Sequence, residues 1–234
     1  MTSYVIKILE DYFNLKKLEQ KINYDRLSRS EKDNFRLGND NDALYYHKEL
    51  ELERNEALKA DTIVSFWTPY KTLLELEAGW TAYKTKNSLN NLLRQIRYTH
   101  TNDYTSKINS VNKKIEKFAK VCYTKGNYML LPERSINPLR YDLFEDRIDL
   151  TLFNCFGNGS LSKYFKTEEE LLEWINKERL DIMFKDKKIS REHIKWFVSE
   201  EEVPKKISKM TASEIYEYLN NAILLIESRN ITEN

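Results

Sequence analysis

Turn-forming residues are concentrated in one part of this chain. Between Val121 and Phe165 lie three of its five glycines (Gly126, Gly157, Gly159), two of its four prolines (Pro132, Pro138) and both cysteines. Elsewhere apolar residues recur at helical spacing with long polar faces between them. We expect such a chain to fold as helices gathered around one irregular centre. The 234 residues suffice for one good core, or a core with a helical arm. With 41% apolar and 32% charged residues, the expectation is a mainly α fold. We expect a single helical domain over 1–234, with at most a short β element near 127–132. Residues 1–42 read as a possible arm plus loop.

The expected helices follow from periodicity and caps. Val5, Ile6, Ile8, Leu9, Tyr12 and Phe13 predict a first helix capped by Thr2 or Ser3. The polar run from Ser28 to Asp42 reads as a loop, and Ala43 to Ala60 as one charged surface helix. Asp61-Thr62 reads as the cap of a helix carrying Ile63, Phe66, Trp67 and Tyr70. Pro69 suits its first turn or a kink, and Gly79 its end. After the Gly126-Asn127 turn, Tyr128 to Leu131 reads as a strand ended by Pro132. Asp142 to Phe156 then reads as a helix. Thr167 with Glu170, and Thr211 with Glu214, have the spacing of capping boxes.

Charge is uneven. From Lys84 to Lys125 there are ten Lys or Arg against two acids, Asp103 and Glu116, so this stretch carries +8 in a chain whose total is +1. Two amphipathic helices fit it, with Arg94, Arg97, Lys107, Lys113, Lys114, Lys117 and Lys120 opposite the apolar face. This is either a solvated face or a surface for nucleic acid or an acidic protein.

Catalytic signatures are scarce. His47, His100 and His193 lack the neighbouring acids or cysteines that a metal site needs at short spacing, so no metal and no cofactor is expected. Cys122 and Cys155 form neither a disulfide framework nor a zinc pattern, which fits a reducing cytoplasm. The acidic start is not a signal peptide, and no segment approaches the roughly 20 apolar residues of a membrane span. Nucleophile elbows and glycine-rich phosphate loops are absent. Gly126-Asn127, an apolar run and Asn137 resemble one part of the HNH nuclease signature. That chemistry needs an upstream histidine and a divalent metal. Tyr123 and Thr124 precede the glycine here, and no Asp-His pair stands upstream, so an active nuclease is not expected. Arg140, Asp142, Glu145, Asp146, Arg147 and Asp149 fall within about three turns of an expected helix. There Asp146 and Asp149 would share a face, either as an acid–base pair or as anchors for Arg140 and Arg147.

Four segments together resemble an uncharacterised family of bacterial and phage-associated proteins. They are ADTIVSFWTPYK (from Ala60), YTKGNYMLLP (from Tyr123), SINPLR with EDRIDLTL (from Ser135 and Glu145), and EYLNNAILLIESRN (from Glu217). The likeness spans about 60–234. It departs from the family pattern at Tyr123, often histidine there, and at Lys125, often isoleucine. The family's recurring polar positions map to Gly126, Asn127, Asn137, Arg140, Asp146 and Asp149. The resemblance implies a location for a site and a phage, mobile-element or phage-defence setting such as abortive infection, without naming a reaction.

Three functional expectations result. The first is a binding or regulatory protein that contacts nucleic acid or an acidic protein through the basic helices. The second is an enzyme acting on nucleotides or nucleic acid, with a pocket of Gly126, Asn127, Asn137, Arg140, Asp146, Arg147 and Asp149. The third is a protein inhibitor that presents the acidic run Glu168, Glu169 and Glu170. A solvent-filled cleft at the pocket residues would favour the enzyme, and a dry, mutually paired set would count against it. The sequence leaves the oligomeric state open.

Overall fold

A computed structural model describes residues 3–80, 92, 103–198 and 205–230. It is one mainly α domain with a two-stranded antiparallel sheet. The helices described are α1 (Tyr4–Ile22), α2 (Arg29–Asn39), α3 (Asn41–Leu44), α4 (Arg54–Ala57), α5 (Trp67–Ala78), α6 (Asp103–Val121), α7 (Ile136–Phe144), α8 (Ile148–Cys155), α9 (Glu168–Lys177) and α10 (Ala212–Asn230).

The sheet is small and sits at the centre. Strand β1 (Ala60–Thr62) pairs with β2 (Tyr128–Leu130) in the register Ala60 to Leu130, Asp61 to Met129 and Thr62 to Tyr128. All three residues of β1 are buried. The outer edge of β2 is closed by side chains rather than a third strand. The Leu130 N–H donates to Glu178 (2.9 Å) and its carbonyl accepts from Trp174 Nε1 (2.8 Å). This satisfies backbone groups that would be costly to bury unpaired.

The core forms around α5, α6 and α10. Leu73 and Leu74 of α5, Ile108, Val111 and Ile115 of α6, and Ile215, Tyr218 and Ala222 of α10 are buried together. The first helix joins them through Val5, Ile8, Leu9 and Phe13. It is held there by its start. Glu116 of α6 accepts from the Ser3 hydroxyl (2.6 Å) and from the Tyr4 N–H (2.6 Å), so a distant carboxylate caps α1 instead of Ser3 itself. A satellite cluster of Leu37, Tyr46, Ala57, Leu58 and Tyr128 packs α2 to α4 against the sheet, with Tyr45 stacked on Tyr128 at 4.6 Å.

Several expected elements are redrawn. The run Ser28 to Asn39 is helical, because Ser28 and Glu31 cap it reciprocally. The long helix expected over Ala43 to Ala60 is broken. It passes through a π-helical turn (Tyr45–Glu49), a left-handed Glu51 and the short α4, and then enters β1. Asp61-Thr62 is therefore a strand and caps no helix. The helix expected from Asp142 to Phe156 is two helices, separated by left-handed Glu145 (φ 51°) and Asp146 (φ 58°). Asp146 and Asp149 thus share no helix face. The capping pairs at Thr167 and Thr211 and the strand at Tyr128 are present as expected. The first basic helix, with Arg94 and Arg97, lies outside the described residues.

Candidate functional site

The residues grouped around the Gly126 turn divide into two sets. Most are dry. Asn127 is fully buried; its amide donates to the carbonyls of Val64 (3.0 Å) and Cys122 (2.6 Å) and accepts from the Val64 N–H (3.1 Å). It ties the turn to the strand leaving β1. The Gly126 N–H donates to Asn230 (2.6 Å), and its carbonyl accepts from Arg229 of α10. Arg140 is fully buried and spends its donors on the Asp61 carboxylate, Thr151 and the carbonyls of Thr62, Ile63 and Asp146. Arg147 forks onto Asp149 at 2.9 and 2.5 Å and also reaches the Lys205 carbonyl. Asp149 further accepts from the Phe197 N–H at 3.1 Å. Buried pairs this complete hold a fold in one geometry, whereas a half-paired charge would be costly.

Asn137 and Asp146 belong to the second set. They line a cavity of about 450 Å³ that opens to solvent beside the sheet. Its walls come from separate parts of the chain: Asp11 and Tyr12 of α1, Arg36, Asp40 and Asp42 around the α2–α3 junction, Asp61 and Thr62 of β1, and Trp67 and Lys71 of α5. Tyr123, Asn137 and Tyr141 complete it, with Asp146 at the α7–α8 corner. The left-handed pair Glu145–Asp146 turns the chain so that Asp146 faces the cavity while Arg147 and Asp149 point into the core.

The electrostatics follow from enclosure. Arg36 pairs with Asp40 at 3.3 Å, and Asp40 also caps α3. Asp61 is held by Arg140, yet burial outweighs that attraction and raises its carboxyl. Asp42 is raised well above the usual aspartate range by burial and then by the neighbouring Asp40, Asp61 and Asp146. Asp146 titrates at about 7, through burial first and the Asp61 charge second, with a Ser65 hydrogen bond opposing both. Burial lowers the ammonium of Lys71, whose Nζ lies 5.9 Å from the centre of the Trp67 ring. The cavity therefore holds carboxyl groups that keep protons where ordinary carboxylates do not. Groups of that kind can exchange a proton with a bound molecule.

Sequence reasoning missed Asp40, Asp42 and Asp61. The signal for Asp61 was present, as a lone acid between Ala60 and the apolar Ile63-Val64. Asp61-Thr62 also pairs with the strand that follows the Gly126-Asn127 turn. Cys122 lies at the cavity wall but is buried, with its thiol donating to the Ala119 carbonyl (3.3 Å). Burial raises both thiols, that of Cys155 to about 12. His47 contacts the Leu52 carbonyl (3.2 Å) and His193 the Ser190 hydroxyl (2.8 Å). Among the described residues, no three His, Cys, Asp or Glu side chains are grouped to hold a metal ion. No described helix is long and apolar enough to cross a membrane.

The lysines of α6 are exposed, as amphipathicity requires. Three of them face acids: Lys114 meets Glu77 (2.8 Å), Lys117 meets Glu227 (3.5 Å) and Lys107 meets Asp103 (2.7 Å). Lys114 also lies over the Tyr216 ring. The positive stretch in the sequence is thus partly neutralised by neighbours from α5 and α10.

Compared with family models, curated proteins and solved structures, the chain matches none.

Proposed function

We propose that the protein works through the acid-lined cavity, as an enzyme or binding protein that exchanges a proton with a small polar molecule held there. The observation that carries this reading is the meeting of Asp42, Asp61 and Asp146 on one solvent-open cavity from three separate elements, with Asp146 poised near neutrality. A proton donor or acceptor is most effective when its pKa lies near the working pH. Equilibrium dialysis against a cell metabolite extract, read by mass spectrometry, tests it. Wild type retains one or a few small molecules, and Asp146→Asn with Trp67→Ala releases them. An identical retained set for both proteins would refute the reading.

A second reading, contact with nucleic acid or an acidic protein in a phage-defence setting, is supported by the exposed Lys113 and Lys120 of α6. Their neighbours Lys114 and Lys117 are already engaged by acids, which weakens this surface. Charge reversal at Lys113, Lys114 and Lys117 is expected to abolish any salt-sensitive retention of the protein on DNA or RNA columns. Retention unchanged by the reversal would remove this reading.

A further inference from the structure

The charges of the cavity do not cancel. Arg36 offsets Asp40, and Arg140 offsets Asp61. Lys71 stands over Trp67, with no carboxylate within ion-pair distance among the described residues. With Asp11 on the rim matching Lys71 in number, Asp42 and Asp146 are the carboxyl groups that no cation of the cavity matches. The Arg140 guanidinium bonds the main-chain carbonyl of Asp146 and not its carboxylate. The Asp42 carboxylate accepts no hydrogen bond from any described residue, and its own N–H is spent on Asp40.

A second observation points the same way. Thr62 is nine-tenths buried and lines the cavity. Its N–H is used by Asp61 and its carbonyl by Arg140, while its hydroxyl has no partner among the described residues. That hydroxyl keeps some contact with solvent, so it is free to bond whatever fills the cavity. Beside these polar groups, Tyr12 and Trp67 pack ring to ring at 4.6 Å and give the cavity an aromatic side. Two carboxyl groups without an ion-pair partner, which give up their protons when a cation comes between them, a hydroxyl acceptor and aromatic rings are what a nitrogen cation needs: charge compensation, N–H acceptors and a π-rich, apolar flank.

We propose that the ligand of this cavity is an organic cation, with an ammonium or guanidinium group between Asp42 and Asp146, one N–H donated to Thr62, and its carbon stem along Tyr12 and Trp67. This deepens the reading of the cavity as the working site and rests on it. A bare divalent ion fits poorly, because it demands several oxygens at about 2.0–2.6 Å and the carboxylates are not grouped that closely. A phosphate-bearing molecule would bring further negative charge into a cavity whose acids already outnumber its cations.

Calorimetric titration of the full chain with three probes tests this: agmatine, which carries an ammonium and a guanidinium; n-butylurea, a neutral analogue; and AMP, an anion. Agmatine is expected to bind saturably and the other two to give no heat of binding. Asp42→Asn and Asp146→Asn are each expected to weaken agmatine at least tenfold, and Lys113→Ala on α6 to leave it unchanged. The thermal midpoint of each variant shows that it is folded. Saturable binding of n-butylurea or AMP that is lost in Trp67→Ala would overturn the cationic ligand and keep the cavity as the site. Agmatine binding that the two Asp variants leave intact would place the cation elsewhere and overturn the proposal. Absence of binding by all three probes overturns it as well, and the metabolite dialysis then decides whether the cavity reading falls with it.

Discussion

Asp146 shows how one side chain can carry both a cost and a use. Its carboxyl faces a cavity shared with Asp42 and Asp61, and the nearest guanidinium, Arg140, bonds its backbone. Burial and the Asp61 charge lift its titration from the ordinary 3.8 to about 7, with Glu145 adding to the rise while Arg140 and Ser65 oppose it. A carboxyl raised in the folded state binds its proton more tightly there than in the unfolded chain. Its contribution to stability is therefore fully present below about pH 4 and is lost as the pH rises through about 7. Asp146→Asn removes that loss. The variant is expected to be more stable than wild type at pH 8, by on the order of 2–4 kcal/mol, with the difference shrinking towards pH 5. Urea unfolding across that pH range measures it, and a difference that grew on acidification would contradict the burial of this charge.

At the scale of elements, the contacts that set the fold are between a turn and a distant helix. Gly126 has no Cβ because the Ile226 carbonyl of α10 would lie 2.2 Å from it. Gly126→Ala must push α10 away and strain the Arg229 and Asn230 bonds that clasp the turn. We expect a loss of about 2–4 kcal/mol, read as a lowered denaturant midpoint, whereas Gly38→Ala, with open space around it, should cost nothing of the kind. Much at this scale was legible in the sequence. The start of α10 and the presence of the β2 strand followed from a capping pair and a glycine turn. What was not legible shares a cause. Glu51, Glu145 and Asp146 adopt left-handed backbone without being glycine, so they break helices that periodicity extends through. At the α7–α8 corner Arg140 holds this geometry: the Asp146 N–H donates to the Arg140 carbonyl and the Asp146 carbonyl takes Arg140 Nη2.

Across the whole molecule the same limit applies to the site. Residues near the Gly126 turn could be picked out because they are neighbours in sequence, and most of those turned out to brace the core. The cavity instead collects α1, the α2–α3 junction, β1, α5 and the α7–α8 corner, an assembly that exists only once the chain has folded. The N-terminal segment that read as a possible arm is part of that assembly, since Asp11 and Tyr12 line the cavity while Val5, Leu9 and Phe13 enter the main core. The clasp on the central sheet comes from far along the chain. Arg229 donates to the carbonyls of Gly126, Tyr128 and Glu178, so β2 and the end of α9 are locked by a side chain about a hundred residues beyond the turn. Proteins are made from the N-terminus onward. The clasp on β2 can therefore close only after Arg229 has been made. A chain shortened before that residue is expected to carry a loosened sheet beside its cavity, read as faster amide exchange in β2 than in the full chain.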